Sequence, residues 1–133
     1  MKIIVASGPV IIENGKLLVD RDNKDDFYKI PGGTIDEDLS LEDTCKREVK
    51  EEINGDIEII KPLNPMVVWK NQQTGERMMV VLIHYSAKLL NKNKIKPISP
   101  VREVMWLDIN EIKQGKHNVA NNIKFLIKKG DIK

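Results

Sequence analysis

The residues of this chain best suited to chemistry are crowded into one stretch, Arg47-Glu48-Val49-Lys50-Glu51-Glu52. Like charges packed this closely cost free energy unless something neutralises them. On a helix, Thr44, Glu48 and Glu52 fall on one i, i+4 row, and Glu51 lies one turn after Glu48 near the same face. Leu41, Cys45, Val49 and Ile53 form the adjacent row, an apolar ridge suited to packing. A solvated charged face is the ordinary reading of such a pattern. It is weakened here because Arg47 and Lys50 fall on other sides of the helix and leave the acids without a basic mate in their own rows. Three carboxylates converging beside an apolar ridge suit a hard divalent cation, which takes oxygen ligands. Just upstream, Pro31-Gly32-Gly33 is backbone that can approach a ligand closely and offer it N–H and carbonyl groups.

Around this centre stand residues of lesser promise. Arg21 ends a strand pattern and is a candidate phosphate contact. Tyr28 and Trp69 can stack on a base, although packing is the simpler reading of each. Lys92, Lys94 and Lys96 crowd one loop, which reads either as solvated surface or as a basic lid over an anionic ligand. Glu103 is a candidate additional acid. Cys45 and Trp106 read as core, His84 as a structural strand residue and His117 as exposed.

The elements that must position these groups form a simple order. Ile3 to Ile12 is an apolar run interrupted at Gly8-Pro9, and Glu13-Asn14-Gly15 is a hairpin turn leading to a strand over Lys16–Asp20. Phe27–Ile30 is expected as a short strand stopped by Pro31. Ser40 and Asp43 make a capping-box-like start for a helix to Ile53, and Asn54-Gly55 closes it. Ile57–Trp69 is extended with a bend at Pro62 and Pro65, Asn71–Gly75 is a turn, and Arg77–Leu90 is the longest strand pattern. A basic loop over Asn91–Pro100, a strand over Val104–Leu107, a short helix over Asp108–Lys113 and a helix over Asn118–Lys129 complete the chain. In that last helix Val119, Ile123, Leu126 and Ile127 are expected to face inward.

At 133 residues, 41% apolar and 32% charged, this is a soluble globular composition, and residues 1–133 are expected to form one layered α/β domain. No apolar run is long enough to span a bilayer. The single cysteine fits a reducing cytosol and the short start does not resemble a signal peptide, so a cytoplasmic protein is expected. A net charge of +2 disfavours nucleic acid as a general partner.

The stretch from Gly33 onward resembles the signature of the Nudix (MutT-type) hydrolases: Gly, five residues, Glu, seven residues, Arg-Glu, an aliphatic, any residue, Glu-Glu, any residue, Gly. Gly33, Arg47-Glu48-Val49 and Glu51-Glu52 match in spacing, and Tyr28-Lys29-Ile30-Pro31-Gly32 resembles the family's lead-in. Glu103-Val104-Met105-Trp106-Leu107 and Asn110-Glu111-Ile112 resemble its closing strand and short helix. Leu39 stands where the family has its first Glu, and Asn54 where it has Gly. Asp36, Glu37 or Asp38 can take the supporting role that Leu39 vacates.

The resemblance implies an α/β/α sandwich with a mixed, twisted β-sheet between helices. It implies hydrolysis of a diphosphate linkage in a nucleoside diphosphate derivative with Mg²⁺ or Mn²⁺, for example a (deoxy)nucleoside triphosphate to monophosphate and pyrophosphate. By position, Glu48 and Glu52 become the main metal ligands, Glu51 a further ligand or the base, and the Gly32 carbonyl and Glu103 possible additions. Arg47 becomes an orienting residue, with Gly33, Arg21, Tyr28, Lys92, Lys94 and Lys96 on the substrate side. The expected partner is a small nucleotide or related diphosphate, and the chain a monomer or homodimer. Leu39 keeps open a catalytically weak nucleotide-binding or regulatory module on the same fold. The basic loop and tail keep open an RNA 5′-end pyrophosphohydrolase.

Overall fold

The strands divide their apolar residues between two interiors, and the helices sit where that division leaves a face uncovered. The computed structural model describes residues 1–71 and 74–133. β1 (Ile3–Val10) and β7 (Arg77–Leu89) run parallel through a mixed sheet, in which β4 (Gly33–Thr34) pairs antiparallel with β1. β5 (Ile57–Pro62) and β6 (Met66–Lys70) both pair antiparallel with β7. A second, antiparallel sheet has the order β2 (Ile12–Glu13), β3 (Lys16–Asp22), β8 (Val101–Asp108). The helices are α1 (Leu41–Ile53), α2 (Ile109–Lys113) and α3 (Asn121–Lys129), and none of the described residues form a helix long and apolar enough to cross a membrane.

Side chains alternate along a strand, so one strand feeds two cores. Leu17 and Val19 of β3 pack with Leu107, Ile112, Ile123 and Leu126, on the side of α2 and α3. Leu18, between them, packs with Cys45, Val49 and Ile53, the ridge of α1. Each such side chain, fully removed from water, contributes about 1.5–3 kcal/mol. The expected α/β/α layering therefore holds, with the strands shared between a mixed sheet and a three-stranded one.

α1 begins and ends as its sequence requires. Ser40 accepts the Asp43 N–H at 3.0 Å, and Asn54 takes the left-handed cap at φ 57°.

Four local expectations change. Gly8-Pro9 does not interrupt β1. β4 pairs with β1 at Ala6 and Ser7 only, so Pro9 falls beyond that pairing, a position proline tolerates. Phe27–Ile30 is not a strand. Its Tyr28 bridges to Val119 and its Lys29 to Asp20, two different neighbours that allow no continuous ladder. For the same reason α3 starts at Asn121, because the Asn118 carbonyl and the Ala120 N–H are hydrogen-bonded to Tyr28; Val119 is buried ahead of the helix, and Ile127 only partly. The basic loop carries a short 3-10 turn at Lys92–Lys94. The turn expected at Asn71–Gly75 includes Gln72 and Gln73, which lie outside the described residues.

His84 has the structural role expected of it. It is 4% exposed, its Nδ1 lies 3.2 Å from the Gly8 carbonyl and its Nε2 lies 2.9 Å from the Asn122 amide nitrogen. Nδ1–H donates to the carbonyl and Nε2 accepts from Asn122, so the ring is neutral. Burial holds its pKa down at about 4, against a smaller opposing pull from the Gly8 carbonyl. The folded value lies below the ordinary 6.5, so the unfolded chain binds the extra proton. This stability is complete above pH 6.5 and is lost as pH falls toward 4, on the order of 3 kcal/mol in total. Urea unfolding at several pH values between these limits should show a shallower acid loss in His84→Gln than in the wild type.

Candidate active site

Two glycines let the loop before β4 lie directly on the acidic face of α1. A Cβ on Gly33 would stand 2.5 Å from a Glu48 carboxylate oxygen, so only glycine fits there with Glu48 in place. The Gly32 N–H donates to Glu52 Oε2 at 3.1 Å. The loop is held in turn by β1: a Cβ on Gly32 would meet the Ser7 carbonyl oxygen at 2.6 Å, and one on Gly8 would meet the Pro31 oxygen at 2.2 Å. Glu48 and Glu52 thus reach the same glycine-lined edge from successive turns of one helix.

Contrary to the expectation from their rows, the acids do have basic mates. Arg47 folds across its neighbours, donating to Glu48 Oε1 at 2.7 Å and to the Thr34 carbonyl at 3.1 Å. It also pairs with Asp36 and lies 3.7 Å from Glu51. A long flexible arm reaches acids that its Cα position does not face. Arg47 is thus bonded to Glu48, and Asp36 pairs with Arg47 from the loop that carries Leu39.

Glu52 has a second mate that the sequence reading missed. The Lys29 ammonium lies 3.6 Å from Glu52 Oε1, 3.2 Å from Asp20 Oδ1 and 3.9 Å from Asp22 Oδ1. Burial by itself would lower the Lys29 pKa, but Glu52, Asp20 and Asp22 outweigh it and hold the amine up at about 12. Glu52 is raised above the usual carboxylate range by burial first and by the nearby Asp20 charge second. Asp20 is raised for the same leading reason. It is fully buried, and neither of its oxygens has a hydrogen bond of good geometry. The available signal was an aspartate closing the otherwise apolar run Leu17-Leu18-Val19.

The three helix acids do not converge as expected. The Glu51 side chain is 61% exposed, Glu48 is drawn to Arg47 and Glu52 to Lys29. Among the described residues no three His, Cys, Asp or Glu side chains are already arranged around one point as a metal site. Glu48 and Glu52 nonetheless fit a hard cation: both are oxygen donors on one helix row, at a glycine edge, near a buried carboxylate with unsatisfied oxygens.

Glu103 is bonded to the Tyr28 hydroxyl and paired with Arg21 at 3.4 Å across the β3–β8 register. Arg21 also lies over the Tyr28 ring at 4.9 Å. Arg21, Tyr28 and Glu103 form one cluster among themselves. Lys92 pairs with Glu13 at 3.2 Å and stacks over Trp106 at 5.0 Å, and Lys92 and Lys94 line a separate cavity with Ile12 and Leu90. The Lys96 N–H is tied to the Ile53 carbonyl, at the C-terminal end of α1.

Beside Gly32 and Gly33 opens a cavity of about 490 Å³, walled by Phe27, Met66, Trp69, Leu82, His84 and Asn122 and bordered by Lys29. Trp69 is half exposed there, so the packing reading fails for it. Tyr28 packs against the core as expected. Cys45 is fully buried against the Ser7 hydroxyl, and burial pushes its thiol up to about 11, as suits a core residue.

A family model described as NUDIX domain matches residues 3–127. Nudix hydrolase 5 of Arabidopsis thaliana is 29% identical over 122 residues, which cover 87% of this chain and 40% of that protein, so the chain spans well under half its length. Among solved structures, a MutT protein from Methanosarcina mazei Go1 superposes with a TM-score of 0.79 at 18% identity, covering 97% of this chain and 93% of that one. A NUDIX hydrolase from Nitrosomonas europaea gives 0.78 at 18%, covering 96% and 87%. At such identities these two structures establish the shared fold.

Gly33→Ala separates site from scaffold. The new methyl meets the movable end of Glu48, so the variant should melt within a few degrees of wild type in chelator. Mn²⁺ at a hundredfold excess over Kd is expected to stabilise the wild type by about 2.7 kcal/mol, and displacing Glu48 should remove most of that gain. Gly32→Ala meets backbone and should unfold far earlier. Thermal melts with and without Mn²⁺ check both outcomes.

Proposed function

The chain belongs to the NUDIX domain family, and on that premise we propose that it hydrolyses a phosphoric anhydride bond in a nucleoside diphosphate derivative, with Mg²⁺ or Mn²⁺ held by Glu48 and Glu52. The observation that carries this reading is the seating of both carboxylates on Gly33 and Gly32 at the edge of a cavity that Phe27 and Trp69 help to line. When bound, the cation supplies neutralisation of the diphosphate charge that otherwise repels a nucleophile. Arg47 keeps Glu48 aimed at that edge. Glu51, exposed and only loosely paired at 3.7 Å, is free to act as base or further ligand.

The cavity suits the group carried by the diphosphate. Its size, about 490 Å³, is that of a small-molecule site. Phe27 and Trp69 offer flat apolar surface to a base, and Asn122 offers a fixed amide. A (deoxy)nucleoside triphosphate, cleaved to monophosphate and pyrophosphate, is the first substrate to try. Asp36 on Arg47 supports activity over mere binding, since it supplies an acid from the loop where Leu39 leaves none. Lys92, engaged with Glu13 and Trp106, does not support an RNA reading.

A panel of nucleoside triphosphates, nucleotide sugars and dinucleoside polyphosphates, with products identified by mass, tests the proposal. Turnover should require Mg²⁺ or Mn²⁺ and should fall at least a thousandfold in Glu48→Gln with Glu52→Gln. Full turnover in excess chelator overturns the metal reading. Trp69→Ala should raise KM about tenfold on the preferred substrate while kcat changes little, the loss of one stacking contact.

A further inference from the structure

One cation is already resident among the acids. The Lys29 ammonium has carboxylates at 3.2 Å, 3.6 Å and 3.9 Å, from Asp20, Glu52 and Asp22. Three carboxylates within 4 Å leave the ammonium little to offer a substrate phosphate. Its backbone is pinned to Asp20 by reciprocal bonds, Asp20 N–H to the Lys29 carbonyl and Lys29 N–H to the Asp20 carbonyl, each 2.9 Å. Only the side chain can move, and its natural travel is between Glu52 and Asp20.

Asp20 explains why such travel is possible. It is 0% exposed, and both its oxygens lack a hydrogen bond of good geometry, although the ammonium is near. A buried carboxylate left this way is costly unless a cation can come fully onto it. Glu52, by contrast, keeps a second hold, because Gly32 N–H grips its Oε2 at 3.1 Å whatever happens at Oε1.

From this geometry, and resting on the metal reading above, we propose that Lys29 is a positioning residue that serves as an internal counter-ion for Glu52. It neutralises that carboxylate until a divalent cation takes it, and Asp20, which shares the ammonium from the start, then keeps it. Lys29, already nearer Asp20 at 3.2 Å than Glu52 at 3.6 Å, gives up Oε1 of Glu52 and closes fully onto Asp20, while the Gly32 N–H keeps hold of Glu52 Oε2. Neither Lys29 nor Asp20 touches the reacting atoms.

Mn²⁺ affinity, measured by calorimetry on the full chain without substrate, tests this independently of turnover. Asp20→Asn should weaken Mn²⁺ binding about tenfold, because Lys29 then loses its nearest and only fully buried carboxylate partner and clings to Glu52. Lys29→Met should bind Mn²⁺ several-fold more tightly than wild type, since the competitor is gone, while melting earlier in chelator. Asp20→Asn with Lys29→Met should bind more tightly than Asp20→Asn does, a rescue that a merely structural pair would not give. The double variant leaves Glu52 without a buried like charge from Asp20, so it keeps the test open should Lys29→Met fail to fold.

Weaker Mn²⁺ binding in Lys29→Met, or no rescue in the double variant, overturns the counter-ion role while leaving the metal site standing. Unchanged affinity in Asp20→Asn does the same. A double variant that cannot fold makes the pair a structural brace and also overturns it. A wild type with no Mn²⁺ affinity, or one undiminished in Glu48→Gln with Glu52→Gln, brings down the metal reading and this inference together.

Discussion

The backbones of Ser7–Gly8 and Pro31–Gly32 cross so closely that neither glycine there has room for a methyl group. Gly8 would drive a Cβ to 2.2 Å from the Pro31 oxygen, and Gly32 to 2.6 Å from that of Ser7. Much of the candidate site hangs from this crossing. It lays Gly33 on the Glu48 carboxylate and turns the Gly32 N–H onto Glu52. On the other side it offers the Gly8 carbonyl to His84, whose ring then fixes the Asn122 amide at the cavity wall. Backbone contacts of this kind cannot relax by changing a rotamer, so the geometry is stiff where positioning matters most.

The second organising force is electrostatic and is settled pairwise. Six carboxylates, from Asp20, Asp22, Asp36, Glu48, Glu51 and Glu52, lie within 4 Å of Lys29 or Arg47. The two pairings differ in kind. Arg47 works at the surface with a planar fork that holds Glu48, Asp36 and a backbone carbonyl together, and its contribution to stability is small. Lys29 works largely out of water, where removing one partner of an ion pair costs far more than the pair gains. The surplus of negative charge leaves room for a divalent cation without demanding that the fold collapse in its absence.

The apolar division between the two cores decides which groups are free to act. α1 spends the Cys45, Val49, Ile53 row on packing and so presents the Glu48, Glu52 row to the loop. The residues around Trp69 and Phe27 line a hollow instead of closing it. The lysine-bearing loop is drawn elsewhere, Lys92 by Glu13 and the Trp106 face, and its backbone by the end of α1.

What could be read without coordinates was what is local along the chain. The start of α1 at Ser40, its end at Asn54, its packing ridge and its acid row all follow from residues within one or two turns of each other, where helical geometry converts spacing directly into position. The link from Gly33 to Glu48 and Glu52 was legible only through the resemblance to the Nudix signature. What only the tertiary structure decided lies between segments distant in sequence. Asp20 and Lys29 look unremarkable until a bridge between β3 and the Phe27–Ile30 segment sets them side by side. Phe27–Ile30 itself reads as a strand by composition, and it fails to be one because its two hydrogen-bonding partners belong to different segments. Arg47 was placed correctly by its Cα and wrongly by its reach, since a helix wheel fixes where a side chain starts and the surrounding charges decide where it ends. Local periodicity thus determined which residues would share a face, and long-range pairing, through the cost of burying any charge without a partner, determined which of those faces would meet.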